Sequence, residues 1–106
     1  MIIIKNIYNH RGNLDRSVIE LDGSYFFGLK VYDNGGKTFD RYTVVYLADK
    51  SRMNGMIYYT MFGMSENPFE GFGQHCEGML GKHLGKKISF DDLPALCQKA
   101  VLEDLK

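Results

Sequence analysis

The chain has 106 residues, 44% of them hydrophobic, with thirteen basic side chains balanced by thirteen acidic ones and only two cysteines. That length suits one compact domain, residues 1–106, whose core needs no covalent staples. The charge balance removes the general attraction to phosphate backbones and anionic lipids, so neither a long nucleic-acid track nor a membrane surface is expected as partner.

Cys76 and Cys97 are too few and too irregularly spaced for a disulfide framework, which predicts reduced thiols and a cytosolic compartment. The opening stretch has three consecutive isoleucines before Lys5, short of a signal h-region or a membrane span, so a soluble, unexported protein is expected. Seven Tyr, seven Phe and twelve Gly, with two Pro and no Trp, suggest an aromatic-rich sheet with many tight turns.

In chain order, "IIIKNIY" (2–8) reads as a first strand. "SVIEL" (17–21) and "YFFGLKVY" (25–32) flank "DGS", a tight-hairpin signal. "DNGGKTFD" then turns the chain into "RYTVVYLA" (41–48), with Asn34, Gly35 and Gly36 able to take positive φ. "MNG" joins this strand to "MIYYTMF" (56–62). By the two-residue period, Thr43, Val45 and Leu47 share one face of the fourth strand while Tyr42, Val44 and Tyr46 share the other. Both faces are apolar enough to need cover.

The C-terminal "DDLPALCQKAVLEDLK" supplies one cover. Asp92 is a candidate N-cap, Pro94 suits a first turn, and Leu93, Leu96, Cys97, Ala100, Val101 and Leu105 form an apolar stripe over about 13 residues. The fold class expected is α+β: an antiparallel meander of four to five strands packed by one C-terminal helix. Between them, residues 63–88 read as a long ordered loop anchored by Phe69, Phe72, Met79 and Leu80, with a short helix fitting around Gln74–Leu80. A homodimer through the uncovered sheet face is a further expectation.

Two segments carry candidate chemistry. In "DNGGKTFDRYT", consecutive glycines followed by Lys37 and Thr38 suit a backbone cradle for phosphate, and Asp40, Arg41, Tyr42 and Thr43 add four hydrogen-bonding side chains where a strand begins. The spacing is not that of a P-loop, and a strand follows instead of a helix. A plain hairpin turn is the competing reading. In "NPFEGFGQHCEG", Asn67, Phe69, Phe72, Gln74 and His75 are candidate ligand contacts, and Cys76 reads as a small buried hydrophobe. His75 beside Cys76 invites a nucleophile–base reading, against which stands the fact that sequence neighbours seldom present their reactive atoms to each other. No Cys-x-x-Cys or His-x-x-x-His spacing points to a metal. Lys82, His83, Lys86 and Lys87 would complete a cationic rim if they close over the same face as Lys37 and Arg41. Glu103 and Asp104 read as a solvated helix end.

The strings "VYDNGGKTFDRYTVVY", "MSENPFEGFGQHCEG" and "HLGKKISFDDLPALCQKAV" resemble those of a family of small proteins encoded by phages, prophages and bacterial mobile elements. The resemblance covers most of the chain from about residue 31 onward. It carries no activity, cofactor or site residue across; what it implies is context, a viral accessory protein in the cytoplasm of a bacterial host, of the kind that blocks host components. The expectation is therefore a non-enzymatic anti-defence binder of a small anionic ligand such as a nucleotide, needing no cofactor or metal. Rival expectations are direct inhibition of a host defence protein, a small nucleotide-processing hydrolase using His75 with Asp40 or Glu77 and Arg41, and a virion or assembly component.

Overall fold

The computed structural model describes residues 1–70 and 73–106. Six strands follow one another as a meander, each antiparallel to the next: β1 (Ile2–Tyr8), β2 (Leu14–Leu21), β3 (Tyr25–Asp33), β4 (Tyr42–Met53), β5 (Met56–Met64) and β6 (Gln74–Gly78). A short β7 (Lys86–Ile88) pairs with β3, and α1 (Ala95–Asp104) closes the chain. The architecture is α+β, as expected. The sheet has seven strands where four to five were expected, because the connection 63–88 holds β6, β7 and a 3-10 turn at Lys82–Leu84 instead of one long loop. The segment expected to form a short helix is the edge strand β6, whose mostly exposed side chains give no apolar alternation to read.

The turns form for the reasons their sequences suggest. Asp22 and Gly23 both have positive φ (53° and 71°), as do Asn54 and Gly55 (52° and 79°), which matches the right-handed twist of the strands they join. These two turns lie at one end of the sheet. The β1–β2, β3–β4 and β5–β6 connections lie at the other, so the two segments singled out in the sequence begin at the same end.

β3 is the hub. β4 takes one of its edges from Leu29 to Asp33, and the other is shared: β2 pairs with Tyr25–Leu29 and β7 with Val31–Asp33. Ser17, 1% exposed, sits where β2 leaves β3. Its hydroxyl accepts from the Phe90 amide (3.0 Å) and donates to Asn6 Oδ1 (2.8 Å), which satisfies a backbone donor at the fork. Asn6 then donates to Asp91 (3.0 Å), so β1, β2 and the turn before α1 are tied together.

One sheet face packs α1. Ile19, Leu29, Val31, Tyr42, Val44, Phe62 and Met64 meet Phe90, Leu93, Cys97, Ala100 and Val101 in the main core. Fully burying a side chain such as Phe90 contributes about 1.5–3 kcal/mol. The helix is ten residues long, shorter than the stripe suggested, and Leu96 on that stripe is exposed. Asp92 does not cap it. Its carboxylate accepts from the Ser89 amide (3.0 Å) in a capping box on the preceding 3-10 turn, Phe90–Asp92, and α1 starts after Pro94. The opposite face holds a smaller cluster of Tyr32, Val45 and Met61, covered by Leu80 and Leu84. Both faces are thus partly covered.

The β4–β5 pairing slips between Tyr46, which faces Thr60, and Lys50, which faces Tyr59. Leu47, Ala48 and Asp49 have no partner on β5 there and form a three-residue bulge. Among the described residues no helix is long and apolar enough to cross a membrane.

Candidate functional site

The two sequence segments do meet. Gly36, Lys37, Thr38, Phe39 and Arg41 on the β3–β4 connection face Ser65, Glu66, Asn67 and Glu70 on the β5–β6 connection across an open pocket of about 750 Å³. Of the expected contacts, Lys37, Thr38, Arg41 and Asn67 are brought together. Tyr42 is instead buried in the core against α1, Thr43 points to the other sheet face, and Asp40 packs beside Gly63 of β5. Phe69 borders a neighbouring hollow with Phe62 and Pro68, where the Lys99 ammonium lies 5.4 Å from its ring. Gln74 and His75 belong to β6. Phe72 lies outside the described residues.

The glycine amides expected to cradle a phosphate are already bound. Gly35 donates to Asp33 Oδ1 (2.8 Å), while Gly36 and Lys37 donate to Asn34 Oδ1 (2.9 and 3.1 Å). Asn34 Nδ2 also reaches Thr38 Oγ1 (2.8 Å), closing the turn on itself. Arg41 forks onto Asp33, Nε to Oδ1 at 2.8 Å and Nη2 to Oδ2 at 3.1 Å, and its Nη1 donates to Glu66 (3.1 Å). The guanidinium holds the Asp33 carboxyl below the usual aspartate range, and Asp33 in turn pushes Arg41 further up. Arg41 therefore ties β3 to the β5–β6 connection, and Lys37 is the cation in the pocket with no ion pair among the described residues.

The cationic rim does not form around this pocket. Lys86 sits in β7 opposite Asp33, and Lys87, next in the strand, turns to the far sheet face, where burial and Lys30 lower its pKa. Two-residue alternation forces this split. Cys76 is exposed, which corrects its reading as a buried residue, because it sits on an edge strand facing away from α1. The buried thiol is Cys97. Burial raises it to about 11, and it donates to the Ser65 carbonyl (3.2 Å) as a structural group.

A second concavity, about 410 Å³, opens on the helix side of the sheet where α1 ends, and sequence reasoning missed most of it. Phe27, Gly28, Ala48 and Leu105 are among its walls, and Tyr46, Asp49, Thr60, His75 and Asp104 supply polar groups. Tyr46, 9% exposed, donates its hydroxyl to Asp104 Oδ2 (2.7 Å). His75 Nε2 lies 3.0 Å from the same carboxylate, and its ring stacks on Phe62 with centroids 4.5 Å apart. Burial, then the hydrogen bond and charge of Asp104, push the Tyr46 phenol well above its usual value. Asp104, read as solvated, is bound on two sides. His75 thus pairs with Asp104 and not with Asp40 or Glu77, and it lines a different pocket from Arg41, so the expected acid–base set is not assembled. The available signal for this site was the acidic pair Glu103–Asp104 at a helix C-terminus, where negative charge opposes the dipole.

No protein-family model, curated protein or solved structure matches the chain. Among the described residues no group of His, Cys, Asp and Glu side chains is arranged to hold a metal ion.

Proposed function

We propose that this chain is a phage-derived accessory protein that counters host defence, without catalysis, by sequestering a small phosphorylated ligand, with a nucleotide first among the candidates. The observation that carries this reading is the convergence of the two glycine-rich segments on one pocket holding Lys37 and an exposed Phe39. An exposed aromatic face suits a base, and an ammonium without an ion pair among the described residues suits a phosphate. The charges limit the ligand. Lys37 and Arg41 stand against Glu66 and Glu70 in the pocket wall, a balance that accommodates one phosphate group better than a triphosphate.

Native mass spectrometry of the full chain with mono-, di- and cyclic nucleotides tests the reading. A mononucleotide should give a specific mass shift, weakened about tenfold or more in Lys37→Ala, the loss expected for one hydrogen bond to a charged group. No shift with any nucleotide would sink it.

A specific observation also favours direct binding of a host protein. Tyr25, Phe26, Met53 and Met56 are all about half exposed or more at the opposite end of the sheet, beside the two tight turns. Met61 and Met64 of β5 are buried, so the exposed surface there is aromatic and tipped by Met53 and Met56. Under this reading Tyr25→Ser with Met53→Ser abolishes capture of the host target while nucleotide mass shifts stay absent.

A further inference from the structure

The pocket at the end of α1 has a charge pattern that the nucleotide reading leaves unused. Its polar groups converge from four elements: Tyr46 and Asp49 from β4, Thr60 from β5, His75 from β6, and Asp104 from the helix. No Lys or Arg lines it among the described residues.

We propose that this pocket binds an organic ammonium ion carried on an apolar body. Two carboxylates, Asp104 and Asp49, lie on its wall, and the C-terminal end of α1 adds the negative pole of the helix with no basic residue in its last turn. An acid at that position is unfavourable in isolation. Tyr46 and His75 take up part of the Asp104 lone-pair capacity, and a carboxylate with about four acceptor sites keeps room for a further donor. Phe27 and Tyr46 offer aromatic surface near the carboxylates, which favours a cation over a neutral isostere. Ala48 and Leu105 add apolar wall for a body of a few carbons. The bulge at Leu47–Asp49 matters here, because a regular strand would alternate Ala48 and Asp49 to opposite faces, and the slip instead lets both line the cavity.

The test is amide chemical-shift titration of the full chain with three probes that share one shape and differ in charge: 2-phenylethylammonium, 2-phenylethanol and phenylacetate. The ammonium should shift Gly28, Tyr46, Ala48, His75 and Leu105 saturably with a Kd of about 1 mM, as befits a fragment. The alcohol should bind at least about tenfold more weakly and the carboxylate not at all. Asp104→Asn also disturbs Tyr46 and His75, so Asp49→Asn is the informative variant: Asp49 is exposed and bears no side-chain hydrogen bond among the described residues, and its change should weaken the ammonium about threefold with the spectrum otherwise intact. Blocked lysine amide, run alongside, assigns the chemistry to a protein side chain if it binds more tightly than the free amine and to a free amine if it does not. Equal affinity for ammonium and alcohol, binding of phenylacetate, or no saturable shift at these residues would overturn the proposal.

Discussion

Replacing Tyr46 by Phe removes one oxygen and leaves the ring in the core. The lost bond runs from a buried hydroxyl to the Asp104 carboxylate at 2.7 Å. Hydrogen bonds to charged groups are worth about 1.5–3 kcal/mol, and the lower end applies because the Asp104 side chain keeps 31% of its exposure and water can replace the donor. The variant should be less stable by about 1.5 kcal/mol at pH 7. Its pH dependence is the sharper consequence. The folded phenol titrates above the ordinary tyrosine value of about 10, so the stabilisation is fully present below pH 10 and is lost as pH rises past it toward the folded pKa. The loss amounts to about 1.4 kcal/mol by pH 11, one unit above the unfolded value. Tyr32 and Tyr42 are raised as well, but they are common to both proteins and cancel in the difference. The gap between wild type and Tyr46→Phe should therefore nearly close between pH 7 and pH 11. Urea unfolding followed by far-ultraviolet circular dichroism suits the measurement, since the chain has no Trp and tyrosine emission changes on ionisation. A gap that stays constant over this range would refute a Tyr46 phenol kept protonated in the fold by its burial and by Asp104.

Gly85→Ala should destabilise the fold by about 3 kcal/mol or prevent folding, read as a drop in thermal midpoint, because Gly85 has φ +101° and an added Cβ would overlap the Asp33 carbonyl oxygen and lie 2.6 Å from Asn34 Cα. Ser17→Ala strips the Phe90 amide of its acceptor at the β2–β3 fork and should cost about 1–3 kcal/mol in urea unfolding; a neutral result would mean that water reaches the fork. For Asp33, held low chiefly by Arg41, the stabilisation is present above the unfolded value of 3.8 and lost as pH falls through the lower folded value. Wild type should therefore lose more stability than Asp33→Asn between pH 4 and pH 2, measured as the shift in denaturation midpoint.

The meander was legible where local chemistry decides structure. Asp22-Gly23 and Asn54-Gly55 adopt the positive φ their sequences suggest, and the alternation of the fourth strand sorts Tyr42, Val44 and Tyr46 from Thr43, Val45 and Leu47, although with both faces apolar it did not say which one meets α1. β6 and β7 were illegible for the converse reason. Both are short, β6 is largely exposed, and each is specified by pairing with a strand already built, Phe62 holding His75 and Asp33 holding Lys86, so no pattern within either segment announces it.

The same distinction separates the two pockets. The meeting of 36–41 with 65–70 could be anticipated because an up-and-down meander returns alternate connections to the same end, whatever their side chains do. The roles of those side chains could not. Asp33 and Glu66 claim Arg41, and Asp33 and Asn34 claim the glycine amides, so residues that looked free for a ligand hold the loop's shape, and the proposed binding rests on what stays outside that network, chiefly Lys37 and Phe39. The helix-end pocket inverts the case. Tyr46 and Asp104 are 58 residues apart and join only through the packing of α1 on β4, yet the carboxylate they share remains open to a further donor. A network that satisfies its own members fixes a fold, and one that gathers negative charge at a helix C-terminus beside aromatic walls leaves an electrostatic demand for a cation to meet.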